Sequence, residues 1–248
     1  MSSNLFPFFT YYGGKWRLSS LYDAPLYNRI IEPFAGSAGY SVRYYHKDVL
    51  LYDLDEKICI LWDYLINASE SDILSLPIDF DSVDDLSVSE GAKYLIGFWL
   101  SKGSDHPCKL PSKWMKGGTR PKSFWSIYIK NRIARQLMYI RHWKIVNKSY
   151  VEIENENATW FIDPPYVDAG KYYHYGSSRL NYEKLANWSI ERHGQVIVCE
   201  NYGAKWLDFS RLCDSNSTIV KDGERQKSSE VVYYQIDGDK GGRQLGLF

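Results

Sequence analysis

The run Phe161-Ile162-Asp163-Pro164-Pro165-Tyr166 delivers an acid, two prolines and an aromatic from the end of an apolar strand. Open α/β sheets bind ligands at the carboxyl ends of their strands, so this is where chemistry is expected. Two successive prolines fix φ and donate no hydrogen bond, which stiffens the loop and leaves the Pro164 carbonyl as an acceptor. Asp163 and that carbonyl can each accept one N–H of an exocyclic amine, aiming the nitrogen lone pair at an electrophile. Tyr166 offers a flat face for a flipped-out base. A rigid turn that ends a strand, with Tyr166 as packing, is the plainer alternative.

Two further stretches suit a cofactor. Glu32-Pro33-Phe34-Ala35-Gly36-Ser37-Ala38-Gly39 permits a tight strand-to-helix turn, where a ligand can approach backbone amides. Its spacing is not G-x-G-x-x-G, which argues against a standard nicotinamide site. Asp53 closes the next apolar run, a position where acids grip ribose hydroxyls, and Asp55 is a second candidate for that role. Near the start, Tyr11-Tyr12-Gly13-Gly14-Lys15 lacks the earlier glycine and the Ser or Thr of a phosphate loop, so that reading is rejected. Lys15 can instead reach a carboxylate or phosphate.

Several elements must hold these groups. Short apolar runs at 29–32, 49–52, 160–162, 195–199 and 230–236 read as strands. Helical spacing is expected over 40–45, 56–68, 93–100 and 124–143, and residues 101–123 read as irregular. Alternation of strands and helices predicts a parallel sheet covered by helices. The 248 residues fit one α/β domain with a small insert.

Net charge is zero, with 30 basic and 30 acidic residues, yet it is unevenly spread. Between 101 and 150 stand Lys102, Lys109, Lys113, Lys116, Arg120, Lys122, Lys130, Arg132, Arg135, Arg141, Lys144 and Lys148, with Asp105 the single acid. That is twelve bases against one acid, a formal +11. The preceding stretch from Glu70 to Glu90 is acidic and has no base. Such asymmetry suggests one face for a polyanion, with a merely solubilising surface as the alternative. The four cysteines and five histidines show no metal-ligand spacing, so no metal is expected. No apolar run reaches membrane-span length and no leader pattern stands at the N-terminus, which points to a cytoplasmic protein with no membrane partner.

Taken in order, these motifs resemble the Dam-type DNA adenine N6-methyltransferases. That family carries an aromatic-x-Gly-Gly-Lys element, a Pro-Phe-x-Gly turn, an acid after the second strand, and an Asp-Pro-Pro-Tyr loop after a DNA-recognition insert. The resemblance runs over about 9–234. It implies a Rossmann-like class I methyltransferase sheet, with S-adenosyl-L-methionine as cofactor and double-stranded DNA as partner. The protein would act as a monomer or dimer, in a bacterial or phage-infected cell, as an orphan enzyme or beside a restriction partner.

Residues 1–100 and 151–248 would form the catalytic domain and 101–150 the recognition insert. By the same resemblance Tyr11, Lys15, Phe34, Gly36, Asp53 and Asp163 hold the cofactor. Asp163, Pro164, Pro165 and Tyr166 form the catalytic loop, and Lys109, Lys113, Lys116, Arg120 and Lys122 meet DNA. In this sequence Ser37-Ala38 intervene before Gly39, one position later than the family's second glycine. Cytosine N4 or RNA adenine as acceptor, and a catalytically silent DNA-binding protein, are the competing expectations.

Overall fold

The computed structural model of the chain describes residues 5–101, 103–116, 122–167, 180–221 and 224–237. Seven strands form one sheet: β1 (Arg29–Glu32), β2 (Asp48–Asp53), β3 (Lys144–Asn147), β4 (Ala158–Ile162), β5 (Gly194–Asn201), β6 (Ser210–Lys221) and β7 (Glu224–Ile236). Their spatial order is β3-β2-β1-β4-β5-β7-β6. The first five are parallel, and β7 runs antiparallel to both β5 and β6. The order reverses direction between β1 and β4, which opens a crevice above their carboxyl ends. The result is a mixed α/β sheet flanked by helices, compatible with a Rossmann-like fold.

Strand geometry explains why both faces are covered. Side chains alternate between faces, so Ile30, Val49, Leu51, Phe161 and Ile197 join one apolar cluster. Ile31, Trp160, Ile162, Val196 and Val198 join another on the opposite face. The first cluster takes in Tyr40 of α1 (Gly39–Arg43), Trp62 of α2 (Glu56–Asn67), Ile73 of α3 (Glu70–Ser75) and Phe98 of α4 (Glu90–Leu100). After the short α5 (Lys113–Lys116), Ile133 of α6 (Ile127–Gln136) joins the same cluster. The second is packed by Leu185 and Trp188 of α7 (Tyr182–Ile190). Covered on both faces, β4 is buried at every position, as a central parallel strand should be.

The helices begin where short polar side chains accept backbone N–H groups. Asp55 caps α2, Ser69 caps α3 with a full capping box, and Ser89, Ser126 and Asn181 cap α4, α6 and α7. Each such cap contributes about 1 kcal/mol. The carboxyl ends use cations from the basic segment. Arg141 donates to the carbonyls of Ile66 and Ala68 at the end of α2, and buried Lys130 donates to the Leu76 carbonyl at the end of α3. The last carbonyls of a helix have no partner within it, so the cations complete these ends.

The basic segment is therefore not a separate body throughout. Lys144–Asn147 pairs with β2 as the edge strand β3, and α6 packs against α3. The expected insert over 101–150 thus ends before the sheet resumes at Lys144. The helical expectation over 124–143 also shortens: α6 ends at Gln136, and Leu137–Tyr139 forms a 3-10 turn whose apolar residues continue the same spacing. Strands β3 and β6 and helices α3, α5 and α7 are additions to the elements expected from sequence. Among the described residues no helix is long and apolar enough to cross a membrane.

Candidate active site

A cavity of about 350 Å³ lies at the carboxyl ends of β1, β2 and β4. Its volume is within the range of small-molecule sites, roughly 300–1,000 Å³. Six stretches separated in sequence line it: 11–15, 32–39, 53–55, 149–151, 163–165 with Phe161 before it, and Leu180, Asn181 and Lys184. All six residues expected at a cofactor, Tyr11, Lys15, Phe34, Gly36, Asp53 and Asp163, are on this lining. So are Pro164 and Pro165. Asp105, on the loop after α4, reaches the same cavity.

The turn after β1 is shaped by backbone geometry. Gly36 has φ +44°, a left-handed conformation that disfavours a side chain, and a Cβ there would stand 3.0 Å from the Tyr11 ring. Tyr11 therefore lies directly against the turn. Ala38 is also left-handed, at φ 47°. Gly39, the first residue of α1, is crowded for a different reason. A Cβ on it would meet the backbone nitrogen of Trp16 at 2.3 Å. The displaced glycine of the motif is thus where the Lys15 segment crosses the start of α1.

Asp53 organises this turn. Its Oδ2 accepts the Gly36 N–H at 2.9 Å and its Oδ1 accepts the Asp55 N–H at 2.9 Å. Burial pushes its carboxyl up to about 6 despite those two donors. Asp55 is itself occupied as the cap of α2, accepting from the Lys57 N–H. Phe34 packs on Tyr150, with ring centroids 5.5 Å apart. Leu54 and Val151, exposed apolar residues at the rim, extend that wall.

Beneath the cavity lies a buried ionic cluster. The Lys15 ammonium stands 2.9 Å from Asp163 Oδ1 and donates to the Gly13 carbonyl at 2.9 Å. It is 3.9 Å from Glu230 Oε1 and 4.6 Å from the centroid of the Tyr166 ring. Glu230, on β7, accepts hydrogen bonds from the hydroxyls of Tyr22 and Tyr166. Burial raises the Asp163 carboxyl to about 6, and Glu230 adds to the rise while Lys15 opposes it. Burial also pushes the Tyr22 and Tyr166 phenols well above their ordinary value. Glu32, at the end of β1, accepts the Ser41 N–H at 2.8 Å and is pushed by burial up to about 8.

Tyr166 is therefore placed differently from the stacking surface expected of it. Its ring is 9% exposed, faces the Lys15 ammonium, and its hydroxyl is bound by Glu230. The loop it belongs to is pinned at three points. Tyr166 holds Glu230, the Tyr182 hydroxyl donates to the Pro165 carbonyl at 2.5 Å, and the Val167 N–H donates to Glu200 Oε2 at 3.3 Å. Burial lifts Glu200 to about 7.

Sequence reasoning missed Glu200, Glu230, Tyr22 and Tyr182, and gave Glu32 no role of its own within its motif. For Glu230 a signal exists: it shares a strand face with Val232 and Tyr234, both buried. Period-two alternation thus places this acid inside.

The expected DNA-contacting residues are more scattered. Lys113 and Lys122 are exposed, and Lys122 lies 5.4 Å from the centroid of the Tyr128 ring. Lys109 is exposed but paired with Asp84 at 2.7 Å. The Lys116 side chain and Arg120 lie outside the described residues. Lys130 is buried, and Arg132 packs over Phe6 and Trp99 while donating to the Pro7 carbonyl. Among the described residues no group of three or more His, Cys, Asp or Glu could hold a metal.

No protein-family model and no curated protein matches the chain. A solved structure described as a conserved hypothetical protein of Streptococcus pyogenes is similar over 82% of this chain and 84% of its own. The identity is 9% and the TM-score 0.35.

Proposed function

We propose that the chain is an S-adenosyl-L-methionine-dependent methyltransferase acting on the exocyclic N6 of adenine in DNA. The observation that carries this reading is the convergence of the Tyr11–Lys15, Glu32–Gly39, Asp53–Asp55 and Asp163–Pro165 stretches on one cavity at the sheet's switch point. The strand order, with β7 reversed beside β5, supports the class I methyltransferase sheet that the motif resemblance implies.

The lining suits the cofactor. Asp53, Asp55, Asp105 and Asp163 outnumber Lys15 and Lys184 around the cavity, which favours a cationic sulfonium ligand. Phe34, Tyr150, Leu54 and Val151 offer an apolar slot for a purine ring. When bound, the cofactor supplies an electrophilic methyl group, so the protein's task is to place a nitrogen lone pair in line with it. Such alignment of two reactants contributes about 7–11 kcal/mol of barrier lowering.

Asp163 and the Pro164 carbonyl accept the two amine N–H groups and orient that lone pair. Tyr166 serves by locking the loop through Glu230 and Lys15. Extruding the base costs a few kcal/mol, which its contacts in the pocket must offset. Exposed Lys113 and Lys122 provide cations toward phosphate.

The test is incubation of the protein with methyl-labelled S-adenosylmethionine and unmethylated double-stranded DNA, followed by digestion to nucleosides. Label in N6-methyladenine is expected. Label confined to N4-methylcytosine, label appearing only with RNA, or no transfer to any nucleic acid overturns the assignment.

A further inference from the structure

We propose that Glu230 is a positioning residue that makes Asp163 the proton acceptor of the transfer site, an inference that rests on the amino-methyltransferase reading above. Glu230 is 4% exposed on β7, bonded to the Tyr166 hydroxyl of the reacting loop and 3.9 Å from the Lys15 ammonium. It fixes two hydroxyls, of Tyr22 and Tyr166, and stands 3.9 Å from the ammonium that binds Asp163. One lysine therefore serves two buried carboxylates. Asp163 takes the shorter contact through Oδ1, and its side chain keeps 20% of its surface open to the cavity.

The charge balance has a chemical consequence. The amine nitrogen forms its bond to the methyl carbon, the carbon–sulfur electron pair leaves with sulfur, and the nitrogen must then shed one proton. Two carboxylates around one ammonium carry a surplus negative charge that this proton neutralises. Asp163 is the member of the pair that lines the cavity, so the proton passes to it and the cluster returns to neutrality. The groups facing Asp163 are Lys15, Glu32, Cys199, Glu200, Tyr22 and Tyr166 besides Glu230. Lys15 alone among them is cationic. Burial together with the Glu230 charge lifts the Asp163 carboxyl to about 6, within reach of a proton acceptor's task near neutrality.

The experiment reads Asp163 directly. The carboxyl carbon shift of 13C-labelled aspartate is titrated in the ligand-free protein, assigned with Asp163→Asn, for wild type, Glu230→Gln and Glu230→Asp. Glu230→Gln keeps the hydrogen-bond acceptor and removes the charge, so the Asp163 midpoint should fall by about half a pH unit or more. The acid limb of the single-turnover methyl-transfer profile should move down with it. Glu230→Asp keeps the charge and should keep the midpoint near the wild-type position. An unmoved midpoint in Glu230→Gln, or equal displacement in both variants, overturns the proposal. If the midpoint moves as expected but wild type transfers no methyl group to any nucleic acid, Glu230 still controls Asp163, and it is the amino-methyltransferase reading that falls.

Discussion

Replacing Gly39 with alanine should cost the site far more than it costs the fold. The added Cβ would lie 2.3 Å from Trp16 N, 2.8 Å from Lys15 C and 3.0 Å from Lys15 N, all backbone atoms that no rotamer change can move away. Ordinary contact begins at 3.4 Å, so the Lys15–Trp16 segment must retreat by about 1.1 Å, the difference between 3.4 and 2.3. Crowding of this kind costs about 1–3 kcal/mol. Alanine at the start of α1 returns up to about 1 kcal/mol of helix propensity. The net loss of about 0–3 kcal/mol lowers the melting temperature by no more than about 12 °C for a domain of this size.

The same retreat carries the Lys15 ammonium from 2.9 Å to about 4 Å from Asp163, beyond hydrogen-bond reach. Misplacement by 1 Å in a positioned site can cost about a hundredfold in rate. The expectation is a variant that melts cooperatively, binds S-adenosylmethionine at least about tenfold more weakly by calorimetry, and transfers methyl groups about a hundredfold more slowly. A folded Gly39→Ala protein with wild-type cofactor affinity would refute the claim that the crossing of Gly39 and Lys15 sets the site.

Glu32 governs a pH effect whose sign is opposite to that of a salt-bridged acid. Burial raises it from an ordinary value near 4.5 to about 8, so the folded state binds the proton more tightly than the unfolded chain. Its contribution to stability is full below about pH 4.5 and is lost as the pH rises through 8, a loss on the order of 5 kcal/mol. Glu32→Gln, which still accepts from Ser41, should show a melting temperature that declines less between about pH 6 and 9; parallel melting curves would count against it. Asp163→Ala should abolish methyl transfer while leaving DNA affinity by fluorescence anisotropy within about twofold, because the cations that meet phosphate lie elsewhere. Unchanged turnover removes Asp163 from the mechanism. Neutralising Lys113 and Lys122 together should lower the log-affinity against log-salt slope by about 2, since each phosphate left without its cation accounts for about 0.9. An unaltered slope means that this segment does not meet DNA.

The strands of the central sheet were legible because their composition matches their burial. Arg29–Glu32 ends where Pro33 forbids continuation, and Gly194–Asn201 is apolar because both faces are covered. Edge strands lack that signal. In β3, Lys144-Ile145-Val146-Asn147 is exposed at both ends and half-buried between, so it resembles a loop. The six cavity-lining positions expected at a cofactor were legible as local motifs, but their partners were not. Lys15 and Asp163 meet from opposite halves of the chain, and Glu230 is joined to them only by the antiparallel return of β7. No local pattern encodes which carboxylate a lysine will find.

Charge counting has a related blind spot: it treats every cation in a segment as surface. Lys130 lies one turn before Ile133 and Ala134, all three buried on the same face of α6, whereas Arg135 is exposed. Lys130, Arg132 and Arg141 donate to main-chain carbonyls, and Lys109 is matched by Asp84. These four cations tie helix ends and loops to the basic segment. Of the cations that remain exposed, strand direction sorts two. Lys148 follows the carboxyl end of β3, adjoining the cavity wall at 149–151, while Lys144 opens the strand at the other end of the sheet. Under the proposed function, a duplex presenting a base to Asp163 would lie over the carboxyl ends of the strands, so Lys148 would belong to its footprint and Lys144 would not. Among the described residues the basic segment is thus divided between cations that bind main-chain carbonyls or an acid and cations that stay exposed, a division set by the fold rather than by the sequence interval.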